Sequence, residues 1–208
     1  MKVERIYSRQ GDFMIPIPEN YRDCIELIRS DYYRHSGTIA SLARMFIFTH
    51  KQPAFAILFW LRLASIKGLW YWPAKIIHRH YSHKYGFQIF PSMKVGYGLC
   101  LSHGICIIVN PGTIIGNNVN IDQFVNIGAS RNGPAVIGNE VFVFPSACVV
   151  DDVHIGSGAC IGAGGVVVKD VPTDATVVGV PAKIVNYKSA RRFLSNPYPF
   201  KDKLENIR

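Results

Sequence analysis

The fold is decided by residues 137–167, which read IGNEVFVFPSACVVDDVHIGSGACIGAGGVV. Every sixth residue of this stretch is aliphatic, and the same pattern extends upstream to Ile89. The thirteen aliphatic positions are Ile89, Val95, Leu101, Val109, Ile115, Ile121, Ile127, Ile137, Val143, Val149, Ile155, Ile161 and Val167. A six-residue period matches neither a helix nor a hairpin meander, and it predicts short strands that turn a corner every six residues.

Three such six-residue units make one triangular coil, in which aliphatic side chains point inward and stack on those of the next coil. We therefore predict a mainly β protein with a parallel β-helix of about four coils over residues 88–188, and the hexapeptide pattern resembles the left-handed form. Residues 1–87 are predicted to form an α-helical segment that precedes it. Residues 189–208, with five Lys or Arg against two Asp or Glu, are expected to form a basic tail.

About four helices are expected in the N-terminal segment. Asn20 is placed to cap the first helix, Gly37 to end it, and Thr38 to cap the second. Pro53 suits the start of a third helix, because proline is favoured in the first turn. Gly86 suits the end of a fourth.

The net charge of +9 is concentrated in residues 1–87, where thirteen Lys or Arg face six Asp or Glu. Solvated helix faces explain this charge better than a nucleic-acid site does, and a peripheral membrane contact stays open. The longest uncharged run there, residues 52–61, is half of the ~20 residues that a membrane span needs. Five cysteines without a CxxC pair disfavour disulfides and a zinc site, so no metal is expected. A cytoplasmic location fits best, with the inner face of the membrane as an alternative.

The six-residue period breaks twice. Between Leu101 and Val109 the step is eight residues, and between Ile127 and Ile137 it is ten. Insertions in such a repeat emerge as loops, and loops carry functional sites. His103 lies in the first break, and imidazole titrates close enough to neutrality to act as a general base. We interpret His103 as the candidate catalytic base.

Four stretches resemble the hexapeptide-repeat acetyltransferases of the serine acetyltransferase type. Residues 101–104, 125–130, 161–167 and 169–183 carry this resemblance and read LSHG, VNIGAS, IGAGGVV and KDVPTDATVVGVPAK. The resemblance implies an acetyltransferase that uses acetyl-CoA as donor, a homotrimer, and active sites between neighbouring β-helices. It also implies that His103 is the catalytic histidine. His154, by contrast, lies in an ordinary repeat turn, where solvent exposure explains it.

The chain departs from this family's pattern at residues that bind the amino acid. Gln88 stands where the family has an aspartate that orients the histidine, and Ser102 where it has an aspartate that holds the substrate. Asn132 and Gly133 replace an arginine and a histidine in the second loop. Gln88 is still predicted to assist His103, since its amide can hydrogen-bond an imidazole nitrogen. Ser102 and Asn132 are predicted to contact the acceptor.

These departures favour an acceptor other than an amino acid, because a free ammonium and carboxylate are costly to bury unpaired. Residues 71–110 also look more like the O-acetyltransferases of capsule and exopolysaccharide gene clusters. We therefore expect acetyl transfer to a hydroxyl of a saccharide or lipid-linked saccharide, with serine O-acetylation as the alternative. A zinc hydratase on this scaffold would need three histidine ligands, and a non-catalytic module would leave His103 without a role.

Acetyl-CoA is expected to bind along the C-terminal coils. The resemblance places Gly164 and Gly165 where the backbone approaches the pantetheine arm, which glycine permits. It places Ala147 along the same groove. Lys169 and Lys183 are predicted to reach the phosphates of CoA.

Overall fold

The computed structural model describes residues 1–130 and 132–200. Residues 2–17 form an antiparallel hairpin of β1 (Lys2–Ile6) and β2 (Phe13–Ile17). The prediction of helical structure is wrong for these residues. The physical reason is an alternation of apolar residues at Phe13, Ile15 and Ile17, a period of two that suits a strand with one buried face. That face packs on Val136 of the β-helix.

The four predicted helices follow the hairpin. They are α1 (Tyr21–Ser36), α2 (Leu42–Thr49), α3 (Pro53–Leu63) and α4 (Tyr71–Tyr85). Asn20 caps α1, since its side chain accepts the Asp23 N–H at 3.1 Å, and Gly37 and Gly86 end α1 and α4 in the left-handed conformation. The predicted cap of α2 at Thr38 is wrong. Ser41 takes that role by accepting the Arg44 N–H.

The β-helix confirms the six-residue register and has three faces. The first face contains β3 (Lys94–Val95), β6 (Ile114–Ile115), β9 (Val136–Ile137) and β12 (His154–Ile155). The second contains β4 (Cys100–Leu101), β7 (Asn120–Ile121), β10 (Phe142–Val143), β13 (Cys160–Ile161) and β15 (Thr176–Val178). The third contains β5 (Ile108–Val109), β8 (Asn126–Gly128), β11 (Cys148–Val150) and β14 (Val166–Val167).

Each of these strands pairs in parallel with its counterpart in the next coil. Each of the thirteen aliphatic positions is at most 5% exposed, so the side chains stack along the axis as one continuous core. Burying one such side chain contributes about 1.5–3 kcal/mol. Because the coils share this core, the register of each coil constrains that of the next.

A buried ion pair fixes the helices on the first coil. The Arg62 guanidinium of α3 donates to both carboxylate oxygens of Asp31 on α1, at 2.9 and 3.0 Å. It also donates to the backbone carbonyls of Val95 and Gly96, at 2.8 and 2.6 Å. Four of the five N–H donors of Arg62 are therefore used, and such pairing is the condition under which a buried charge is tolerated.

The C-terminal part closes the last coil. Strand β16 (Lys183–Asn186) turns back and pairs antiparallel with β15, and Ala190–Phe193 form a short 3-10 helix. Residues 201–208 of the expected basic tail lie outside the described residues. In the part of the chain that is described, no helix is long and apolar enough to cross a membrane.

Candidate active site

The corner between the second and third faces holds the first register break. We call it the His103 corner and define it by one residue from each successive coil: His103, Phe124, Ser146 and Gly164. All four have left-handed backbones, with φ of 58°, 61°, 61° and 65°. Backbone hydrogen bonds stack the turns: Phe124 N–H to Ile105, Ser146 N–H to Gln123, and Gly164 N–H to Pro145. At ~4.8 Å per strand spacing, roughly 14 Å separate the backbones of His103 and Gly164.

His103 is exposed at the first turn of this corner. A left-handed backbone is uncommon for a residue other than glycine, although histidine adopts it more readily than most. Gly104, at φ 48°, packs against α3, and a Cβ added to it would lie 3.0 Å from Ala54. The loop is therefore held against the helices while it presents the imidazole to solvent.

Ser102 is fixed from the helical side. Its hydroxyl accepts a hydrogen bond from the Asn120 amide at 3.1 Å, and the Asn120 carbonyl oxygen accepts from the Arg34 guanidinium. Arg34 is itself buried on α1 and also donates to the Gly98 carbonyl at 3.1 Å. The residue directly before the candidate base is thus tied to α1 through two side chains.

Asp122 is a residue of this site that the sequence analysis missed. The pairing of Leu101 with Ile121 stacks Asp122 on Ser102 in the next coil, and Asp122 is only 6% exposed. Burial raises the pKa of its carboxyl, while Ser102 and His103 oppose that shift. Its Oδ1 atom has no hydrogen-bond partner among residues 1–130 and 132–200. The predicted coil register already placed an aspartate beside Ser102, so the signal was present in the sequence.

Gln88 lies in the same region but does not bond to the imidazole. It extends the third face below β5, where its N–H donates to Ile107 at 2.8 Å and its carbonyl accepts from Val109 at 2.9 Å. No hydrogen bond joins the Gln88 side chain to His103 in the described chain. Its predicted assistance to His103 stays a prediction.

Asn132 lies at a different corner. The second register break falls between the third and first faces, whereas His103 lies between the second and third. Asn132 is exposed there, and Arg131 beside it lies outside the described residues. Within one chain the structure does not bring Asn132 to His103.

Of the residues predicted to bind acetyl-CoA, Gly164 and Gly165 lie at the far end of the His103 corner, whereas Lys169 follows β14 at the corner between the third and first faces. Gly164 is exposed, and no atom of residues 1–130 or 132–200 lies within 4 Å of a Cβ added to it. Gly165 is buried beside it, and Lys169 and Lys183 are exposed at the ends of the neighbouring segments. The turn before Lys183 adjoins β14, because the Gly179 carbonyl accepts the Val166 N–H at 3.0 Å.

Ala147 was also predicted to line this groove, but its side chain is fully buried in the core of the β-helix. Its carbonyl accepts from Asn126, and its N–H donates to Phe144. The methyl group therefore faces the interior, and the donor site proposed below is built without it.

His154 differs from its expected exposure. Its side chain is 12% exposed, and its Nδ1 atom accepts the Arg9 backbone N–H at 3.0 Å. Arg9 also bridges Asp152 and Asp170. We call these four residues the Arg9 corner. The explanation of His154 by solvent exposure is wrong, because the hairpin covers it.

A parallel β-helix with a histidine in a register break is the architecture of a hexapeptide-repeat acyltransferase. No protein-family model matches the chain. It is 38% identical over 119 residues to the serine acetyltransferase of Buchnera aphidicola subsp. Acyrthosiphon pisum, covering 55% of this chain and 43% of that one. It is 31% identical over 154 residues to the serine acetyltransferase of Bacillus pumilus, covering 69% of this chain and 70% of that one. The chain belongs to the serine acetyltransferase family.

Solved structures agree. A Neisseria gonorrhoeae serine acetyltransferase in complex with serine matches with a TM-score of 0.62 at 29% identity, over 79% of this chain and 69% of that one. A serine acetyltransferase in complex with CoA matches with a TM-score of 0.64 at 26% identity, over 79% and 70%. The predicted mainly β fold, a left-handed β-helix preceded by helices, is confirmed. The expected acyltransferase class agrees with this family.

The expected saccharide acceptor is wrong. The similar proteins are named serine acetyltransferases, and a matching structure holds serine. The likeness to capsule and exopolysaccharide O-acetyltransferases is not supported either. The expectation rested on the replacement of charged residues at Gln88, Ser102, Asn132 and Gly133, and it left out Asp122, which the fold places beside Ser102.

Proposed function

We propose that this protein transfers the acetyl group of acetyl-CoA to the hydroxyl of L-serine, giving O-acetyl-L-serine and CoA. The observation that carries the proposal is His103, exposed in the register break of a chain that belongs to the serine acetyltransferase family. His103 is the general base. It takes the proton of the serine hydroxyl as the oxygen attacks the thioester carbonyl, and the departing thiolate of CoA receives that proton.

The donor lies along the His103 corner. Its thioester would be at His103, and its pantetheine arm would run past Phe124 and Ser146 toward Gly164, which has no side chain and whose backbone is open among the described residues. Lys169 and Lys183 would pair with the phosphates. A left-handed turn at each coil gives this corner a continuous edge, which supports an extended ligand lying parallel to the axis of the β-helix.

Asp122 would supply the anionic partner that the ammonium group of serine needs. An ammonium group is costly to bury without an anionic partner. Asp122 offers a buried carboxylate in the coil next to Ser102, and its Oδ1 atom has no hydrogen-bond partner in the described part of the chain. We assign it to the acceptor's ammonium. Replacing it by asparagine would keep the shape and remove the charge.

We also propose a homotrimer with the site between chains. The support is apolar exposure along the third face and its corners, where Ile108, Phe124, Val150 and Val168 are 38%, 50%, 42% and 48% exposed. A second copy packed there would cover them. A solution mass near three times 23.3 kDa is expected, and an active monomer would contradict the shared site.

The reaction is tested with purified protein, acetyl-CoA and L-serine, by mass spectrometry of the product and by CoA release. L-Serine is expected to saturate between micromolar and low millimolar concentrations, as physiological substrates do. Asp122→Asn should raise the KM for serine while the KM for acetyl-CoA stays the same, and Asp174→Asn, at another corner, is the matched control. Failure of the wild-type protein to acetylate serine would overturn the proposal.

A further inference from the structure

A cavity of about 630 Å³ lies between α4 and the segment that enters the first coil. One wall is formed by Lys75, His78, Arg79 and Ser82, which recur at helical spacing and so share one face of α4. The opposite wall is formed by residues 86–91. The volume falls within the ~300–1,000 Å³ range typical of small-molecule sites. We call this the α4 cavity.

Two polar atoms of the α4 cavity are buried without a partner. They are Nε2 of His78, a residue only 6% exposed, and Oγ of Ser82. Neither has a hydrogen-bond partner among residues 1–130 and 132–200. Buried polar groups are nearly always hydrogen-bonded, and leaving one unpaired costs about 1–3 kcal/mol. Both residues line the α4 cavity, so a small shift of these side chains toward a bound molecule would supply the missing bonds.

The protonation of the His78 ring determines which kind of hydrogen-bonding group the ligand must carry. Its other nitrogen donates to the Ile89 carbonyl, and burial lowers the pKa of the ring to about 4, so the ring is neutral at pH 7. A neutral imidazole that donates from Nδ1 can only accept at Nε2. The ligand must therefore carry a hydrogen-bond donor, such as a hydroxyl or an amine.

The charge of the cavity defines the rest of the ligand. Lys75 and Arg79 contribute cations, and no aspartate or glutamate occurs in the sequence between Asp31 and Asp122. The Lys75 ammonium donates to the Tyr71 hydroxyl and lies over the Tyr71 ring. Arg79 makes no ion pair in the described chain. Phe87, Phe90 and other apolar residues of the opposite wall would contact a hydrocarbon part.

We propose that the α4 cavity binds a small carboxylate or phosphate that also carries a hydroxyl or amine donor. Arg79 binds the anionic group, and His78 and Ser82 receive the donor. The cavity adjoins the candidate active site through the backbone: the Cys106 N–H donates to Tyr85 at 2.9 Å and the Gln88 N–H to Ile107 at 2.8 Å. A ligand bound in the α4 cavity would therefore affect the position of the loop that carries His103. The proposal does not depend on serine being the acceptor.

The test measures binding without turnover, by calorimetry on the full-length protein without acetyl-CoA. The probes are 4-hydroxybenzoate and benzoate, which differ only in the hydroxyl, together with inorganic phosphate. Wild-type protein is expected to bind 4-hydroxybenzoate at least fivefold more tightly than benzoate. Arg79→Ala should weaken both carboxylates about tenfold, and Ser82→Ala should weaken only 4-hydroxybenzoate.

Arg44→Ala is the matched control, because it removes the same charge from α2, away from the α4 cavity. It should leave the affinities unchanged, and both arginine variants should keep the wild-type melting temperature. Three outcomes would overturn the proposal. The wild-type protein could bind neither carboxylate, Arg79→Ala and Arg44→Ala could act alike, or benzoate could bind as tightly as 4-hydroxybenzoate, which would leave His78 and Ser82 without a role. Phosphate, which carries its own hydroxyl donor, is expected to bind and to be weakened by Arg79→Ala.

Discussion

Two corners of the β-helix each carry a histidine, and their polar groups are satisfied to different degrees. At the Arg9 corner, His154, Asp152 and Asp170 are bonded to the hairpin and to one another. At the His103 corner, the imidazole is exposed and Asp122 keeps a buried oxygen without a partner among the described residues. Polar groups that are hydrogen-bonded to each other hold two parts of a chain together, whereas a polar group without a partner can bind a ligand. The hydrogen bonds around each histidine therefore distinguish the roles of His103 and His154 better than their positions in the repeat do.

The strongest test of this difference between the two corners is to make the same substitution at both histidines. His103→Asn should lower turnover about 10²- to 10⁴-fold, the usual effect of losing a general base. Asparagine is chosen because it tolerates the left-handed backbone at φ 58°, so the melting temperature should not change. Acetyl-CoA binding, measured by calorimetry, should persist.

His154→Asn is the matched control for that experiment. It should keep turnover within about twofold and lower the free energy of unfolding by about 1–2 kcal/mol, because the hydrogen bonds of Nδ1 with the Arg9 N–H and the Ser8 hydroxyl are lost. If His154→Asn abolished turnover, or His103→Asn left it within a few-fold of wild type, the distinction between the two corners would fail.

The β-helix could be predicted residue by residue, because its core repeats every six positions and each aliphatic residue tests the same register. Val95, Ile121 and Val149 are all buried as predicted. The hairpin has a shorter signal, the alternation of Phe13, Ile15 and Ile17 over one strand. Its attachment to the β-helix depends on contacts between Arg9 and aspartates 143 and 161 residues away, and such contacts leave no local period in the sequence.

The candidate site was predictable only in part, for a related reason. His103 stood out because it interrupts a period. Asp122 does not interrupt it, and its signal lies in the coil register, which pairs Leu101 with Ile121 and so places Asp122 on Ser102. His78 and Ser82 fall at ordinary helical spacing, and only their burial without partners marks the α4 cavity. The sequence pattern predicts the path of the backbone, whereas buried polar atoms without a hydrogen-bond partner can be identified only in the structure.

The Arg9 corner can be tested by removing its centre. Arg9 donates to Asp152 at 2.9 Å and to Asp170 at 2.8 and 2.9 Å. Its side chain is 47% exposed, so each pair contributes at most about 1 kcal/mol. Arg9→Ala should therefore lower the free energy of unfolding by about 1–2 kcal/mol in urea titrations and leave turnover unchanged. A loss of turnover in the folded variant would mean that the hairpin also shapes the His103 corner.

The smallest expected effect is the pH dependence of that pairing. Hydrogen bonds from Arg9 lower the pKa of Asp170 to about 2, compared with ~3.9 in an unfolded chain. A pKa that is lowered by folding contributes stability that is complete above the unfolded value and is lost as pH falls through the folded value. The difference in unfolding free energy between wild type and Arg9→Ala should therefore be constant from pH 7 to 5 and shrink between about pH 4 and 2. The double variant Arg9→Ala, Asp170→Asn compared with Asp170→Asn should show a much weaker trend, and an equally steep one would assign the effect to another carboxylate.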